Sequence, residues 1–479
     1  MNDQKRKPVR PYADLREYLQ VLEQHGKLKR ITQPVDKDWE IAAVGRVNFQ
    51  SVPEEKRCAL FFENVKGHSI PVTLGVLGGS RAIYALAMRA DGIDDIGDAW
   101  TRALRDPLPP EEVDSAPVHD EIYAADAANL LSLPVPTWTV EHDPGPYLTA
   151  PFVFTRDPET GIQNVGTYRC QIKEPRKIGL FMAHVQDGRK HVRMHDERDM
   201  DTPVAIALGT DPGIGLCSVS RIPYGTDELA VAGALRGGPV PVVRARTVDL
   251  MVPANAEIVI EGLIRKNELE GEGPFGEYTG YMGPHSESFV LDVTAITHRH
   301  EPIFQAFLSQ MPPSESSTIR GFGREAAIRR HLLDLKLPVQ DVHLLHAGGA
   351  AAYLAISIKK EYPGQAQQVM FGAWAVDPTL GKFTVIVDDD IDVRDPFMVN
   401  WALSFRVQPD KDFVKAPNTP AIRLDPSQAA EEIPQLDASR VISSKIGIDA
   451  TKKHKYPPSA LPPAEHLARV RAQWHEYGF

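Results

Sequence analysis

The amino-acid sequence predicts an α/β (α+β) fold in which a β-rich centre lies between two α/β parts. A strand, a Gly-rich turn and a helix follow one another at residues 70–87. Many short β-branched segments then succeed one another between residues 150 and 297, and helices alternate with strands again after residue 321. The 479 residues are enough for two or three domains. We predict three domains, at residues 1–115, 116–320 and 321–479.

The composition, with 42% apolar and 24% charged residues, is that of an ordinary globular protein. A net charge of −11 argues against nucleic acid or an anionic membrane as the main partner. No signal peptide and no apolar run of membrane-spanning length are recognisable. The three cysteines form neither a disulfide framework nor a Cys-x-x-Cys pair, which favours a reducing compartment. We therefore expect a cytoplasmic protein.

The first elements predicted are a short amphipathic helix and an α/β unit. Asp14 is a good N-cap, apolar residues recur behind it at helical spacing, and Gly26 ends the helix. Two buried strands at 58–62 and 70–77 precede a helix that opens at Ser80. The Gly pair before Ser80 is by itself a weak phosphate signal. A Pro-rich acidic segment at 106–117 is predicted to be a linker, and a helix is expected over 121–131.

The central part is predicted to consist mainly of short strands. Their regular succession is typical of a barrel or a sandwich. One helix interrupts them, with Thr226 as the expected N-cap and Gly237-Gly238 at its end. The expected strands are 152–155, 164–172, 177–184, 204–208, 240–246, 257–264 and 289–297.

The last part returns to alternating helices and strands. The expected elements are helices at 324–335 and 398–406 and strands at 352–358 and 383–387, followed by largely irregular chain over 416–463. Acids at 388–392 are either a metal site or, as we favour, a solvated turn. A terminal helix over 464–477 places Leu467, Val470 and Trp474 on one face. That face requires either the protein's own body or a partner subunit to cover it.

The most unusual stretch is 270–281, which combines three carboxylates with four glycines and one proline. Glycine permits backbone angles that other residues avoid, and proline fixes the chain between the glycines. The stretch is therefore a shaped turn with acids at set places. Such acids can hold a substrate or donate a proton to it, and an acidic surface turn is the alternative.

Further candidate site residues lie between 164 and 228. Asn164 and Arg169 lie in a strand suited to burial, where their polar groups need partners. The alternative to a binding site is an interdomain salt bridge. Their spacing puts them on opposite faces of a regular strand, so a shared site requires the strand to bend or end. His184 and Glu228 offer ligands suited to Mn²⁺ or Mg²⁺. His191 and His195 compete with His184, and helix capping is the alternative for Glu228.

Taken together, these stretches are similar to the UbiD family of prenylated-flavin-dependent decarboxylases. The resemblance extends over nearly the whole chain, and the order and number of its motifs make it specific. No Gly-x-Ser-x-Gly elbow, Walker loop or His-Glu-x-x-His motif competes with it. The matching segments are 14–19, 26–31, 164–169, 204–209, 249–254, 272–281, 387–392 and 417–420.

The resemblance implies a site and its cofactors. It implies a divalent metal, typically Mn²⁺, on Asn164, His184 and Glu228, and a K⁺ held by backbone carbonyls around residues 218–221. It implies a prenylated FMN bound by these metals and by further cofactor-binding residues, and a catalytic set of Arg169, Glu272 and Glu277. The cofactor-binding residues implied are Asn164, Thr167, Tyr168, Arg169, His184, Ser218, Ser220 and Glu228.

The resemblance also implies a fold and a reaction. The fold is an N-terminal α/β domain, a central split β-barrel like that of flavin reductases, and a C-terminal α/β domain with a terminal helix. The reaction is reversible decarboxylation of an aromatic, heteroaromatic or α,β-unsaturated acid through a covalent adduct with prenylated FMN, with Glu277 as proton donor. Glu270 falls outside the pattern and is expected to be a surface residue. Residues 314–317 are expected near the substrate.

Partners follow from the same resemblance. The expected partners are the carboxylic acid, CO₂ and a flavin prenyltransferase that supplies the cofactor. The expected assembly is a homodimer or a homohexamer. Two other functions stay open from the sequence, namely a non-catalytic subunit that binds flavin or metal and a flavin-reductase-like electron carrier.

Overall fold

One large, curled antiparallel sheet in the middle of the chain organises the protein. A computed structural model describes residues 10–183, 186–428 and 441–478. The predicted α/β (α+β) class is confirmed, because helices and strands build the parts on either side of this sheet. Within the described ranges, no helix is both long and apolar enough to cross a membrane.

The N-terminal part begins with an amphipathic helix. The Asp14 side chain caps it by accepting from the Glu17 backbone N–H at 2.9 Å, and Leu15, Tyr18 and Leu22 are buried beneath it. The elements of this part are α1 (Leu15–Gln24), β1 (Leu28–Ile31), α2 (Glu40–Ser51), β2 (Ala59–Phe62), β3 (Val72–Leu74), α3 (Arg81–Ala87), α4 (Ile96–Arg105) and β4 (Glu111–Glu112).

The central part contains the large sheet and three helices. Its elements are β5 (Glu121–Ala124), β6 (Tyr147–Leu148), β7 (Phe152–Arg156), β8 (Gln163–Thr167), β9 (Cys170–Glu174), β10 (Lys177–Leu180), α5 (Asp187–Asp196), β11 (Thr202–Leu208), α6 (Pro212–Val219), α7 (Glu228–Arg236), β12 (Pro241–Arg244), β13 (Met251–Pro253), β14 (Ile258–Glu272), β15 (Ser286–His298) and β16 (Phe304–Ala306). The strand order is β6-β9-β10-β15-β14-β11-β7-β8, with β5 added on β15. The sheet curls into a half-barrel, and β16 joins the sheet β1-β2-β3 instead.

Both faces of the large sheet are covered. In β7, Phe152 and Phe154 enter a core shared with the helices, whereas Val153 enters a second core on the opposite face. None of the three side chains is exposed. Burial on both faces explains why these strands have near-continuous apolar sequences instead of an alternating pattern.

The long hairpin of β14 and β15 positions the acidic stretch. The two strands pair from Ile258 opposite His298 to Glu272 opposite Ser286. The connecting loop, residues 273–285, therefore forms the tip of the hairpin. The predicted shaped turn lies at this tip, with Glu272 as the last residue of β14.

The C-terminal part is a second sheet with helices. Its elements are α8 (Glu315–Asp334), β17 (Val339–Leu344), β18 (Tyr353–Ile358), α9 (Gln365–Val376), β19 (Phe383–Asp388), α10 (Pro396–Arg406), β20 (Phe413–Pro420), β21 (Ile442–Ala450) and α11 (Ala464–Ala472). The strand order is β17-β18-β19-β21-β20. Helix α11 buries none of its residues against this chain.

One expectation about secondary structure is wrong and a second is incomplete. Residues 121–131 are not a helix, because strand β5 pairs with β15 and short 3₁₀ turns follow it. The segment 416–463 contains two strands that the sequence did not predict, since β20 pairs with β21 and β21 lies beside β19 inside the sheet. In both cases the pairing partner is distant in sequence, and local propensity does not reveal it.

Two helix starts also differ from the prediction. Asp227, not Thr226, caps α7, and its side chain accepts from the Leu229 N–H at 2.8 Å. Helix α8 begins at Glu315, well before residue 324, because Ser314 and Ser317 form a capping box there.

Candidate active site

A break between β8 and β9 interrupts the segment that carries two candidate residues. Strand β8 ends at Thr167, and Tyr168 and Arg169 lie between the strands. A Cβ at Gly166 would lie 2.2 Å from the Tyr168 hydroxyl, so glycine is required for the ring to fold back across the strand. The Tyr168 hydroxyl then accepts from Asn164 Nδ2 at 3.2 Å. The end of the strand removes the geometric objection to a site that uses both Asn164 and Arg169.

Arg169 holds two carboxylates from the loop region. Its Nε donates to Glu272 Oε1 at 2.8 Å and its Nη2 to Glu272 Oε2 at 2.7 Å, while Nη1 donates to Glu277 Oε1. The guanidinium lies over the rings of Phe181 and Phe275, at 4.4 and 5.5 Å from their centroids. The structure thus brings the three predicted catalytic residues into direct contact.

The loop itself is held by its own backbone. Gly273 has φ +84°, and a Cβ there would lie 3.2 Å from the Pro284 carbonyl. Further along, the Glu277 N–H donates to the Tyr281 carbonyl at 2.9 Å and the Gly283 N–H to the Phe275 carbonyl at 2.8 Å. These bonds fix the backbone from which the Glu277 side chain reaches Arg169.

Arg169 places one positive charge between two acids. Burial raises the pKa of Glu277 above its usual range, although Arg169 opposes the shift. Burial alone would lower the pKa of Arg169, but the carboxylates of Glu277 and Glu272 raise it. The guanidinium therefore stays charged and pairs with Glu272, and the protonated range of Glu277 extends above that of an ordinary carboxyl.

Tyr147 is a member of the cluster that the sequence did not indicate. Its hydroxyl donates to Glu272 Oε1 at 3.1 Å, and its ring packs on Phe275 with centroids 4.4 Å apart. The side chain is fully buried. Tyr147 precedes Glu272 by 125 positions, and no local pattern marks it. It fixes the carboxylate that in turn fixes Arg169.

Glu270 is separate from the cluster, as predicted. Its carboxylate pairs with Lys173 at 2.9 Å and with Lys177 at 3.2 Å. It is a partly exposed residue of β14 and does not contact Arg169.

Asn164 and Glu228 line a second, smaller site. They border a cavity of about 50 Å³ together with His191, Asp187 and Tyr224. Glu228 accepts from the Val165 N–H at 3.0 Å, and burial raises its pKa to about 8. Among the described residues, no cation lies within ion-pair distance of Glu228. A buried carboxylate of this kind fits a divalent metal, which would supply the missing positive charge.

The histidines near this site differ in where they point. His184 lies outside the described residues. His191 lies in the cavity, with Nδ1 2.9 Å from Thr155 Oγ1, and burial lowers its pKa. His195 instead bonds the carbonyl of His191 within its own helix at 2.8 Å. Across the described ranges there is no group of three or more His, Cys, Asp or Glu residues with metal-binding geometry.

Four further residues are predicted to bind the cofactor. Thr167 and Tyr168 lie in the chain between Asn164 and Arg169, whereas Ser218 belongs to α6 and Ser220 follows that helix. The Ser218 hydroxyl donates to the Gly215 carbonyl, so Thr167 is the donor in the 2.8 Å bond that joins it to Ser218. Ser220 caps the end of α6 and lines a cavity of about 690 Å³. Burial raises the pKa of Tyr168 to about 12, which keeps its hydroxyl neutral.

The acids at 388–392 form a charge-paired turn. Arg406 binds Asp388 at 2.8 Å and Asp390 at 2.8 and 2.9 Å, and Lys452 binds Asp390 at 2.6 Å. Asp388 and Asp390 are thus paired with cations of the chain, which agrees with a turn and not with a metal site.

Three protein-family models match the chain, and all three describe parts of the 3-octaprenyl-4-hydroxybenzoate carboxy-lyase UbiD. The N-terminal-domain model matches residues 19–100, the Rift-related-domain model residues 111–312, and the C-terminal-domain model residues 317–450. Together the matches cover more than half of the chain.

Individual relatives match over nearly their whole length. An uncharacterized protein of Archaeoglobus fulgidus is 34% identical over 494 residues, which cover 97% of this chain and 98% of that protein. The UbiD-class enzyme HmfF of Pelotomaculum thermopropionicum, solved with FMN, is 34% identical with a TM-score of 0.85, covering 95% of this chain and 99% of its own. An evolved dimeric form of HmfF is solved with prFMN.

A third relative is the 3,4-dihydroxybenzoic acid decarboxylase AroY of Klebsiella pneumoniae. It is 28% identical with a TM-score of 0.84, over 95% of this chain and 99% of its own.

Proposed function

The chain belongs to the UbiD family of carboxy-lyases, and on that premise we propose that it decarboxylates an aromatic, heteroaromatic or α,β-unsaturated carboxylic acid with prenylated FMN as its cofactor. It is a decarboxylase and a flavoprotein. The relatives solved with FMN and prFMN support the prenylated cofactor, and the relative that acts on 3,4-dihydroxybenzoic acid supports an aromatic substrate.

One observation carries the proposal: a guanidinium held by one buried carboxylate lies against a second acid whose pKa is raised. Glu272 occupies the Nε–Nη2 edge of Arg169, and the Nη1 end faces Glu277. The substrate carboxylate takes the position at Nη1 that Glu277 occupies here, because that end offers the remaining N–H donors.

Four residues then divide the work. Prenylated FMN, when bound, supplies the electron sink for the carbon that loses CO₂. Arg169 holds the substrate carboxylate, and Glu272 with Tyr147 keeps the guanidinium in place. Glu277 donates its proton to the carbon that loses CO₂. In the reverse direction, at high CO₂, Glu277 takes that proton back, since each step is reversible.

The metals and the phosphate of the cofactor belong at the smaller site. Asn164 and Glu228 would hold Mn²⁺ with His184 as third ligand, and carbonyls around residues 218–221 would hold K⁺. Asn164 donates from Nδ2 to Tyr168, which leaves its Oδ1 for the metal. Thr167, Tyr168, Ser218 and Ser220 would contact the cofactor beside it.

The protein's partners follow from this chemistry. They are the acid, CO₂ and a flavin prenyltransferase as supplier of the cofactor, with a homodimer or homohexamer as the assembly. The non-catalytic subunit and the electron carrier are both disfavoured, because Arg169, Glu272 and Glu277 are all present and in contact.

The test is co-expression with a flavin prenyltransferase, followed by a screen of aromatic, heteroaromatic and α,β-unsaturated acids for CO₂ release. We expect protein that absorbs as a prenylated flavin and releases CO₂ from at least one class of acid. Protein that is loaded with cofactor and Mn²⁺, but neither releases CO₂ nor exchanges ¹³CO₂ into any acid, would contradict the proposal.

A further inference from the structure

A cavity of about 610 Å³ is lined by Glu277 together with helix α2 and the segment 138–142. The loop of the β14–β15 hairpin and residues 310–311 complete its wall. The cavity shares no lining residue with the one of about 690 Å³ beside Ser220 or with the small site at Asn164. The proposed reaction leaves it unused, although the proposed proton donor forms part of its wall.

The cavity connects Glu277 with the protein surface. Among the described residues only Arg169 donates to the Glu277 carboxylate, at Oε1, and 18% of the Glu277 side chain is exposed. Trp39, Tyr281 and Met311 belong to the same wall and are 53%, 62% and 47% exposed. A small molecule that enters this cavity beside Glu277 therefore reaches solvent.

The wall is mainly apolar, because two of its polar side chains bond within the protein. Gln310 Nε2 donates to the Trp138 carbonyl and to the Thr139 hydroxyl, both at 2.7 Å. Arg46 donates to the backbone carbonyls of residues 311 and 313. An uncharged molecule without strong hydrogen-bonding groups fits such a space. The apolar lining residues include Trp39, Ala42, Ala43, Trp138, Val140 and Met282.

The proposed reaction forms a molecule of this kind next to the cavity. The substrate carboxylate is proposed to take the place at Arg169 Nη1 where Glu277 lies here. When its bond to the substrate carbon breaks, the electron pair stays with the organic part and neutral CO₂ is left. CO₂ has lost the charge-assisted bonds that hold a carboxylate at a guanidinium. It also occupies the place from which Glu277 delivers its proton, so it has to move before the carbon is protonated.

We propose that this cavity is the passage through which CO₂ leaves the active site and, in the reverse direction, enters it. The inference rests on the proposed function, since it takes the carboxylate that is lost to lie at Arg169. The cavity adjoins that place through Glu277, opens to solvent and offers the apolar surface that suits CO₂.

The kinetic test narrows the passage with Ala43→Trp in the cofactor-loaded enzyme. Ala43 lines the cavity from the exposed side of α2, so a larger side chain there does not disturb the core. Val47→Trp is the matched control, because Val47 lies one turn further along the same helix, is 58% exposed and is not part of the wall.

Three rates are compared for each variant. They are CO₂ release, exchange of ¹³CO₂ into the acid, and exchange of deuterium from D₂O into the product, which requires Glu277 but no movement of CO₂. In Ala43→Trp we expect the first two rates to fall about tenfold and the deuterium exchange to stay within about threefold of wild type. Val47→Trp should match wild type in all three rates.

Two kinetic results would overturn the inference. If CO₂ release and ¹³CO₂ exchange in Ala43→Trp stay at wild-type rates, CO₂ leaves by another way. If deuterium exchange falls by the same factor as the other two rates, the substitution acts on Glu277 and not on a passage for CO₂.

Xenon pressed into crystals of the purified protein tests the passage without turnover, because this small apolar atom occupies apolar cavities. We expect xenon in the cavity beside Glu277. Xenon found only elsewhere in the protein would overturn the inference, even where acids are decarboxylated. Xenon beside Glu277 in a protein that releases CO₂ from no acid would support a passage for an apolar gas while the proposed function fails.

Discussion

At the scale of single residues, Arg169 is fixed before any substrate arrives. Glu272 binds one edge of its guanidinium, Tyr147 binds Glu272, and two aromatic rings lie against the guanidinium. A guanidinium held in this way loses little freedom when it binds a carboxylate. The second acid, Glu277, is left as the member of the cluster whose proton can move.

The raised pKa of Glu277 predicts how the rate depends on pH. A proton donor must be protonated, and burial extends the protonated range of Glu277 upward from that of an ordinary carboxyl. We expect kcat to be flat at low pH and to fall by about tenfold per pH unit above the raised pKa. The measurement is kcat at saturating monocarboxylate across pH.

The direction in which this profile shifts can be tested with a variant. The positive charge of Arg320 lowers the pKa of Glu277, so Arg320→Gln should move the alkaline fall of kcat to higher pH. Glu270→Gln should leave it in place, because Glu270 pairs with lysines away from the cluster. A shift to lower pH in Arg320→Gln would contradict the assignment of the alkaline fall to Glu277.

The sequence predicts some residues of the active site and misses others, for physical reasons. Arg169, Glu272 and Glu277 follow from a family resemblance that is carried by their neighbours in the chain. Tyr147 acts through one hydrogen bond across the fold and leaves no pattern around itself. Arg320, whose charge lowers the pKa of Glu277, occupies an ordinary polar position of a helix, and no local pattern marks it.

At the scale of elements, local chemistry and long-range pairing explain what could be foreseen. Helices α1 and α3 begin where Asp14 and Ser80 cap them, and both caps are visible in the sequence. Strand β5 is held by its pairing with β15, and β21 lies between β19 and β20. Those partners are far away in the chain, and therefore the sequence suggested a helix and an irregular segment instead.

Helix α8 is tied to the N-terminal part through Glu315. Its carboxylate is fully buried and accepts from the N–H groups of Gly75 at 2.8 Å, Leu77 at 3.0 Å and Gly78 at 3.2 Å. The segment 314–317 that we expected near the substrate thus starts the helix that carries Arg320. Its acid holds the Gly-rich turn at 75–78, which the sequence marked only as a weak phosphate signal.

We expect Glu315→Gln to lower the free energy of unfolding by about 2 kcal/mol, because one of the two acceptor oxygens is replaced by a donor facing buried N–H groups. Urea unfolding of the flavin-free protein measures this. Glu465→Gln is the control, because that side chain is 83% exposed on α11, and it should change stability by less than about 0.5 kcal/mol. Equal stability of the two variants would show that the tie contributes nothing.

At the scale of the whole molecule, the central sheet brings distant parts of the chain to one place. Arg169 comes from the break between β8 and β9, and the two acids come from the β14–β15 hairpin. The division at residues 115 and 320 stays a prediction, as does the homodimer or homohexamer. Leu467 and Val470 of α11 are not buried against this chain, which agrees with a helix that docks elsewhere.

The proton-donor role of Glu277 is the central claim, and one comparison tests it most directly. CO₂ release is measured for Glu277→Gln and Glu270→Gln, each co-expressed with a flavin prenyltransferase and compared at equal flavin content. The amide introduced by Glu277→Gln keeps an acceptor for Arg169 but has no acidic proton. We predict a loss of at least about 1,000-fold in Glu277→Gln and near wild-type rates in Glu270→Gln. Turnover by Glu277→Gln within about tenfold of wild type would contradict the account.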